Sequence, residues 1–216
     1  MKLVYKMSAS AVMAAMLLTG CSKVSTNSDT SKTPVVQTDQ TAPIPQTGYR
    51  FSTAENTDIA NKDKLSYRNF YSQPSKDADA EWFDAIKKGD LATVKYMVES
   101  GQNLEAKDTG NLNQTALGWA AFIGYEDIVD YLVNEGASLQ ATDKGDVYNV
   151  LKSSVLGKNT NVVKKVYNLL NAENPVDLND QTQESDGETL IMVAASNNRI
   201  ETVLRCNGQN SCWCMS

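Results

Sequence analysis

Histidine is absent from the 216 residues. Without an imidazole the chain has no means of assembling a Ser/His/Asp triad, a Cys/His dyad or a His-ligated zinc or iron centre from its own residues. Strong positive charge is missing too. Twenty basic residues stand against 26 acidic ones for a net charge of −6, and no Lys/Arg cluster exceeds Lys87-Lys88 or Lys164-Lys165. Phosphate attraction dominates nucleic-acid affinity, so DNA and RNA are not expected partners. A glycine-rich phosphate loop is lacking as well. Gly101-Gln102-Asn103 and Gly136-Ala137-Ser138 read as helix stops, and neither carries the lysine such loops use. The carboxylates of Glu126, Asp127, Asp130 and Glu135 fall on the outer face of a helical pattern, which reads as a solvated face. With no paired acidic constellation left, the chain is expected to be no enzyme and to hold no cofactor or metal.

What is present is a repeat. Gly89, Val94, Tyr96, Val98, Gly101, Leu104, Ala106 and Asp108 recur thirty-five positions later as Gly124, Val129, Tyr131, Val133, Gly136, Leu139, Ala141 and Asp143. A period near 33 residues with this content marks a helix-pair unit that buries its apolar face only against neighbours. Val94, Met97 and Val98, and again Ile128, Val129, Leu132 and Val133, lie at three- and four-residue spacing, which predicts one apolar stripe per helix. Gly101 and Gly136 sit just past those stripes and are expected to end the helices in the left-handed conformation. Asp79 is placed to cap the helix that begins at Ala80-Glu81.

The segment Thr115-Ala116-Leu117-Gly118-Trp119-Ala120-Ala121 resembles the ankyrin signature T-P-L-H-x-A, with Pro and His replaced. A further copy opens at Asp186-Gly187-Glu188-Thr189-Leu190-Ile191-Met192-Val193-Ala194-Ala195. A weaker one runs from about Asp146 through Val155, Val162-Val163 and Leu169-Leu170, with Ser153-Ser154 in place of the paired alanines and irregular spacing over 171–185. The first copy lacks its hairpin and starts at Trp82-Phe83-Asp84-Ala85-Ile86, which suits an end cap. The resemblance implies an all-α solenoid of about four helix-turn-helix ankyrin repeats over 79–216, the last one incomplete, acting as a monomer that binds a protein partner.

The longest apolar run, Met7 to Leu18 behind Lys2 and Lys6, is signal-peptide length and too short to span ~30 Å of hydrocarbon as a helix. Its end, Leu18-Thr19-Gly20-Cys21, resembles the bacterial lipobox. That implies a signal peptide over 1–20, lipidation of Cys21 and, with Ser22 following, a membrane anchor in the periplasmic leaflet of a Gram-negative outer membrane. Removal of Lys2 and Lys6 with the signal takes the charge from −6 to −8. Residues 21–78, rich in Ser, Thr, Asn, Gln and Pro at first, are expected to form a flexible linker with a reach of about 40 Å. The aromatics Tyr49, Phe51, Tyr67, Phe70 and Tyr71 near its end are expected to pack along the first repeat.

With Cys21 lipidated, Cys206, Cys212 and Cys214 leave an odd thiol in an oxidising compartment. Cys206 can pair with Cys212 or with Cys214, and a three-thiolate zinc site has no fourth ligand nearby. The tail from Asn207 to Ser216 departs from the repeat pattern, so the last unit reads as one that stops short.

The concave face of ankyrin proteins, built from hairpin tips and first helices, holds their target-dependent positions. Carried onto this chain, it points to Asn111, Leu112 and Gln114 on one finger, Phe122 and Ile123 at the end of its helix, and Asp146, Tyr148 and Leu156 in the next unit. Phe122 and Ile123 stand apart. They lie outside the stripe of Leu117, Ala120 and Ala121, so they are expected either as exposed interface anchors or as cover for the irregular third repeat. The most specific resemblance is to small ankyrin-repeat immunity lipoproteins that neutralise antibacterial effectors, lipases among them; a housekeeping periplasmic scaffold is the alternative.

Overall fold

The computed structural model describes residues 42–52, 54–55, 59, 75–145, 147–183 and 187–206, with side chains as far as Leu204. Cys21, Tyr67, Phe70, Tyr71, Asp146, Cys212 and Cys214 lie outside them, as does the side chain of Cys206. The expectations for lipidation and thiol pairing therefore fall on residues that are not described.

Eight helices follow one another in pairs among the described residues. They are α1 (Ala80–Lys88) with α2 (Leu91–Glu99), α3 (Ala116–Ile123) with α4 (Glu126–Asn134), α5 (Val150–Leu156) with α6 (Thr160–Glu173), and α7 (Leu190–Ser196) with α8 (Ile200–Cys206). First helices pack in one layer, α1 on α3 on α5 on α7, and second helices in another, α2 on α4 on α6 on α8. The sole β pairing among the described residues is an isolated bridge between Asp108 and Gln114 at the base of the first finger. The four-repeat all-α solenoid expected from the period is thus the architecture found.

Each stop and start has a local cause. After α2 and α4, Gly101 and Gly136 both take φ +94°. Their N–H groups bond back to Val98 and Val133, and the next residues, Gln102 and Ala137, bond to Met97 and Leu132. This satisfies carbonyls that the helix leaves open. Thr115, Asn149 and Thr189 cap the first helices of repeats two to four, accepting from the N–H of Gly118, Lys152 and Met192 at 3.1, 3.1 and 3.2 Å. Asp79 does not cap α1. Its backbone is not extended, and its carboxylate instead accepts from Gln102 Nε2 at 2.9 Å.

One apolar core runs through all four units, from Trp82, Phe83 and Ile86 through Leu117, Ile128 and Leu132 to Val150, Leu151 and Val155, then Val166 and Val193. Most of the segment expected as a flexible linker over 21–78 lies outside the described residues; within it, residues 46–51 lie against the repeats because their polar groups find partners there.

Candidate functional site

The fingers are laced to one another. Lys144 N–H donates to the Leu112 carbonyl at 2.7 Å, Lys107 Nζ to the Thr142 carbonyl at 2.9 Å, and Ser138 N–H to Glu105 Oε1 at 2.7 Å. Leu112 and Asn113 turn the first finger with φ +61° and +54°, the left-handed region that L side chains rarely adopt. A leucine held there costs about 1–2 kcal/mol. Leu112 is half-buried at the tip, and Tyr148, also half-buried, stands on the next finger with Lys152 Nζ 5.8 Å from its ring centroid.

Most of the other expected contact residues point inward. Asn111 is buried and donates to Asp108 Oδ1 at 2.9 Å. Gln114 is buried as well, bonding Ser153 Oγ at 3.1 Å and the Thr115 N–H at 3.0 Å, where it fills the space left by the missing side chain of Gly118. Phe122 and Ile123 are 2% and 1% exposed, so neither is an exposed interface anchor. Phe122 lies under the third repeat, so close that a Cβ on Gly157 would strike its carbonyl oxygen. Ile123 lines a cleft of about 300 Å³ with Phe51, Ile59 and Lys158. Leu156 is buried, and Asp146 lies outside the described residues. Among the described residues of the expected surface, Leu112 and Tyr148 remain accessible.

Behind the first finger is a buried polar knot that no sequence motif announces. Lys87 Nζ approaches Asp108 Oδ2 at 2.8 Å, with both side chains 0% exposed. Ser75 accepts from Lys87 at 2.6 Å and donates to Asp108 at 3.2 Å, while Trp119 Nε1 donates to the same carboxylate at 3.0 Å. Burial pulls the Lys87 ammonium below its ordinary value, and Asp108 opposes that pull. The arrangement ties Ser75, α1, the finger and α3 together. It is closed to solvent, so it acts on structure and not on a ligand.

At the opposite edge, where the helices of each pair turn, one position per repeat staples the unit to its predecessor. Tyr125 Oη donates to the Lys87 carbonyl at 3.2 Å, Asn159 Nδ2 to the Gly124 carbonyl at 3.0 Å, and Arg199 Nε to the Leu156 carbonyl at 3.0 Å. Each satisfies a carbonyl at the end of the preceding first helix. Burial pushes the Tyr125 phenol well above its ordinary pKa, so it remains a donor.

Residues 46–51 run along this edge as a strap. Gln46 N–H donates to Asp90 Oδ2 at 2.7 Å, Arg50 N–H to the Lys88 carbonyl at 2.8 Å, and the Arg50 guanidinium grips Asp127 through both nitrogens at 2.8 and 2.9 Å. Arg50 also lies 4.1 Å from the centroid of Tyr125, on which Phe51 stacks at 4.8 Å. Farther along, the Ile59 carbonyl accepts from Arg199 at 2.6 Å. Phe51 therefore packs on the second repeat, not only along the first.

Among the described residues, no three His, Cys, Asp or Glu side chains gather as a metal site, and no helix is long and apolar enough to cross a membrane. A polar cleft of about 220 Å³ opens between the later fingers, with Tyr148, Asp177 and Asp180 on its walls and Leu151 and Leu190 among its lining.

Residues 83–143 match the family model of ankyrin repeats in three copies. Palmitoyltransferase AKR1 of Lachancea kluyveri is 37% identical over 73 residues, covering 34% of this chain and 10% of that protein. Those of Candida glabrata and Saccharomyces cerevisiae are 36% and 41% identical over 59 residues each, covering 27% and 26% of this chain and 8% of either protein. This chain thus spans about a tenth or less of the length of these relatives. The likeness rests on the repeats and says nothing of the transferase reaction. Helix pairs in two layers, glycine stops at matching places and this match agree that residues 83–143 carry ankyrin repeats, which suggest a module of protein–protein interaction, and the helix pairs after them continue the same stacking.

Proposed function

We propose that this protein is a non-catalytic binding adaptor, carried on a lipid anchor at Cys21, that recognises its partner through the finger row around Leu112 and Tyr148. The observation that carries the reading is the finger tip itself. Leu112 keeps a strained conformation that glycine or asparagine would adopt at lower cost, and such strain is retained where a side chain serves a contact. Rigid stacking of the fingers lowers the ordering cost of binding.

At the finer level, the partner is a secreted antibacterial effector that acts near lipid, which makes the protein an immunity protein. The Lys2/Lys6 start, the apolar run and Leu18-Thr19-Gly20-Cys21 support the anchor, and the acidic charge of the lipidated form, −6 less the two lysines or −8, supports a basic partner surface. Deleting the gene should sensitise cells to siblings that deliver the effector. Restoring the wild-type gene should protect them, whereas a Leu112→Asp/Tyr148→Asp variant of equal abundance and helicity should not. Unharmed deletion cells would refute the immunity role, and full protection by the double variant would refute the finger surface.

A further inference from the structure

The chain's negative charge is concentrated in one stretch. Residues 171–188 hold six carboxylates and no lysine or arginine, which leaves twenty acidic and twenty basic residues in the rest of the sequence. The net charge of −6 is thus the charge of this segment. The earlier fingers are mixed, with Lys107 between Glu105 and Asp108 and Lys144 beside Asp143. Two of the six carboxylates, those of Asp177 and Asp180, line the cleft of about 220 Å³ that Tyr148 also lines.

That cleft joins three kinds of surface. Leu151 and Leu190, both buried, supply apolar lining, Tyr148 an aromatic ring, and the two aspartates an anionic wall. The carboxylates are held by their own loop. Asp180 Oδ1 accepts from the Thr182 N–H and hydroxyl at 2.8 and 2.6 Å, and Asp177 Oδ1 from the Asn179 N–H at 2.9 Å, while Asp177 Oδ2 accepts from no described residue. No lysine or arginine lines the cleft. Lys152 Nζ, 5.8 Å from the Tyr148 ring centroid, belongs to a buried side chain. The complementary occupant is a cation, and the three surfaces narrow its kind. Among the described residues no three His, Cys, Asp or Glu side chains gather, so no oxygen cage for a metal is built here. An ammonium is a compact, strongly hydrated charge, whereas a guanidinium is planar, weakly hydrated, donates through a fork to carboxylates and stacks on aromatic rings. Its methylene stem lies readily along apolar side chains. Arginine uses all three surfaces at once.

We propose that this cleft is a socket for an arginine side chain of the partner, with the guanidinium between Tyr148 and the Asp177 and Asp180 carboxylates and the stem along Leu151 and Leu190. The inference deepens the finger-row reading and rests on it for the partner. Its chemistry is tested without one. The probes are two end-capped tripeptides, glycyl-arginyl-glycine and its citrulline counterpart, which keeps the shape and removes the charge, each titrated into the isotope-labelled full chain and followed by amide NMR. The arginine peptide should shift the Asn149, Asp177 and Asp180 amides and bind at least about fivefold tighter than the citrulline one. Asp177→Asn, a change at an exposed carboxylate, should remove most of that preference, and Tyr148→Leu should reduce it. Glu173→Gln removes the same charge outside the cleft and should leave the preference intact. Equal binding of the two peptides overturns the socket. So does a loss in Glu173→Gln as large as that in Asp177→Asn, because a diffuse field would then be the cause. Neither result touches the Leu112 tip, which the protection assay judges separately. An Asp177→Asn variant that loses the arginine preference yet protects cells fully refutes use of the socket by the partner.

Discussion

Asp108 accepts hydrogen bonds from Lys87, Ser75, Trp119 and Asn111 at once, inside the protein. Removing one partner of a buried ion pair leaves the other charge without compensation, at a cost of about 3–5 kcal/mol. Asp108→Asn should therefore lower the unfolding free energy measured in urea by that much. In a Lys87→Met/Asp108→Asn variant the stranded ammonium is gone, so the two changes should be less than additive by roughly 0.5–3 kcal/mol. Strict additivity in the denaturation curves would show that the pair is not coupled.

The strap is the element whose attachment depends on ionised carboxylates. The Arg50 guanidinium, by hydrogen bonding, holds Asp127 below its ordinary value of 3.8. Burial pushes Asp90 upward, but bonds from Gln46 and Thr93 outweigh it and leave it lowered too. A lowered carboxylate stabilises the docked state fully above 3.8, and that contribution is lost as pH falls through the folded value. The half-exposed Arg50–Asp127 pair is worth under about 1 kcal/mol, so the strap should detach before the core unfolds. In an acid titration by NMR, the Gln46 and Arg50 amides should leave their docked shifts before the methyls of Leu117 and Val150 move. A single shared transition would mean that strap and core are one unit.

The same element marks the limit of what was legible in the sequence. Helix pairs and their stops could be read because Gly101, Gly136 and the apolar stripes recur at fixed spacing. The staples could not, because Tyr125, Asn159 and Arg199 perform one task with three unrelated side chains. The strap was hidden for a related reason. Polar composition before residue 79 fits a solvated linker, and nothing local in it reveals that Gln46 and Arg50 find acceptors in another segment. Phe122 and Ile123 were ambiguous because a repeat buries two faces, and a single helical stripe describes only one of them.

Across the whole molecule, stability in a stack comes from neighbour interfaces, so a unit packed on one side opens first. Repeat four packs on repeat three alone among the described helices, whereas repeats two and three have neighbours on both sides. Amides in α7 and α8 should therefore exchange at least about tenfold faster than those in α3, a difference of about 1.4 kcal/mol in opening free energy. Uniform protection across the four units would show that the array opens as one.

The strap also fixes where a mechanical load arrives. A pull transmitted from upstream of Ala42 is borne first by Gln46 on Asp90 and then by Arg50 on Asp127, at the helix-turn edge. The fingers carrying Leu112 and Tyr148 stand at the other edge, so tension on the leading segment would peel the strap away while leaving their spacing unchanged.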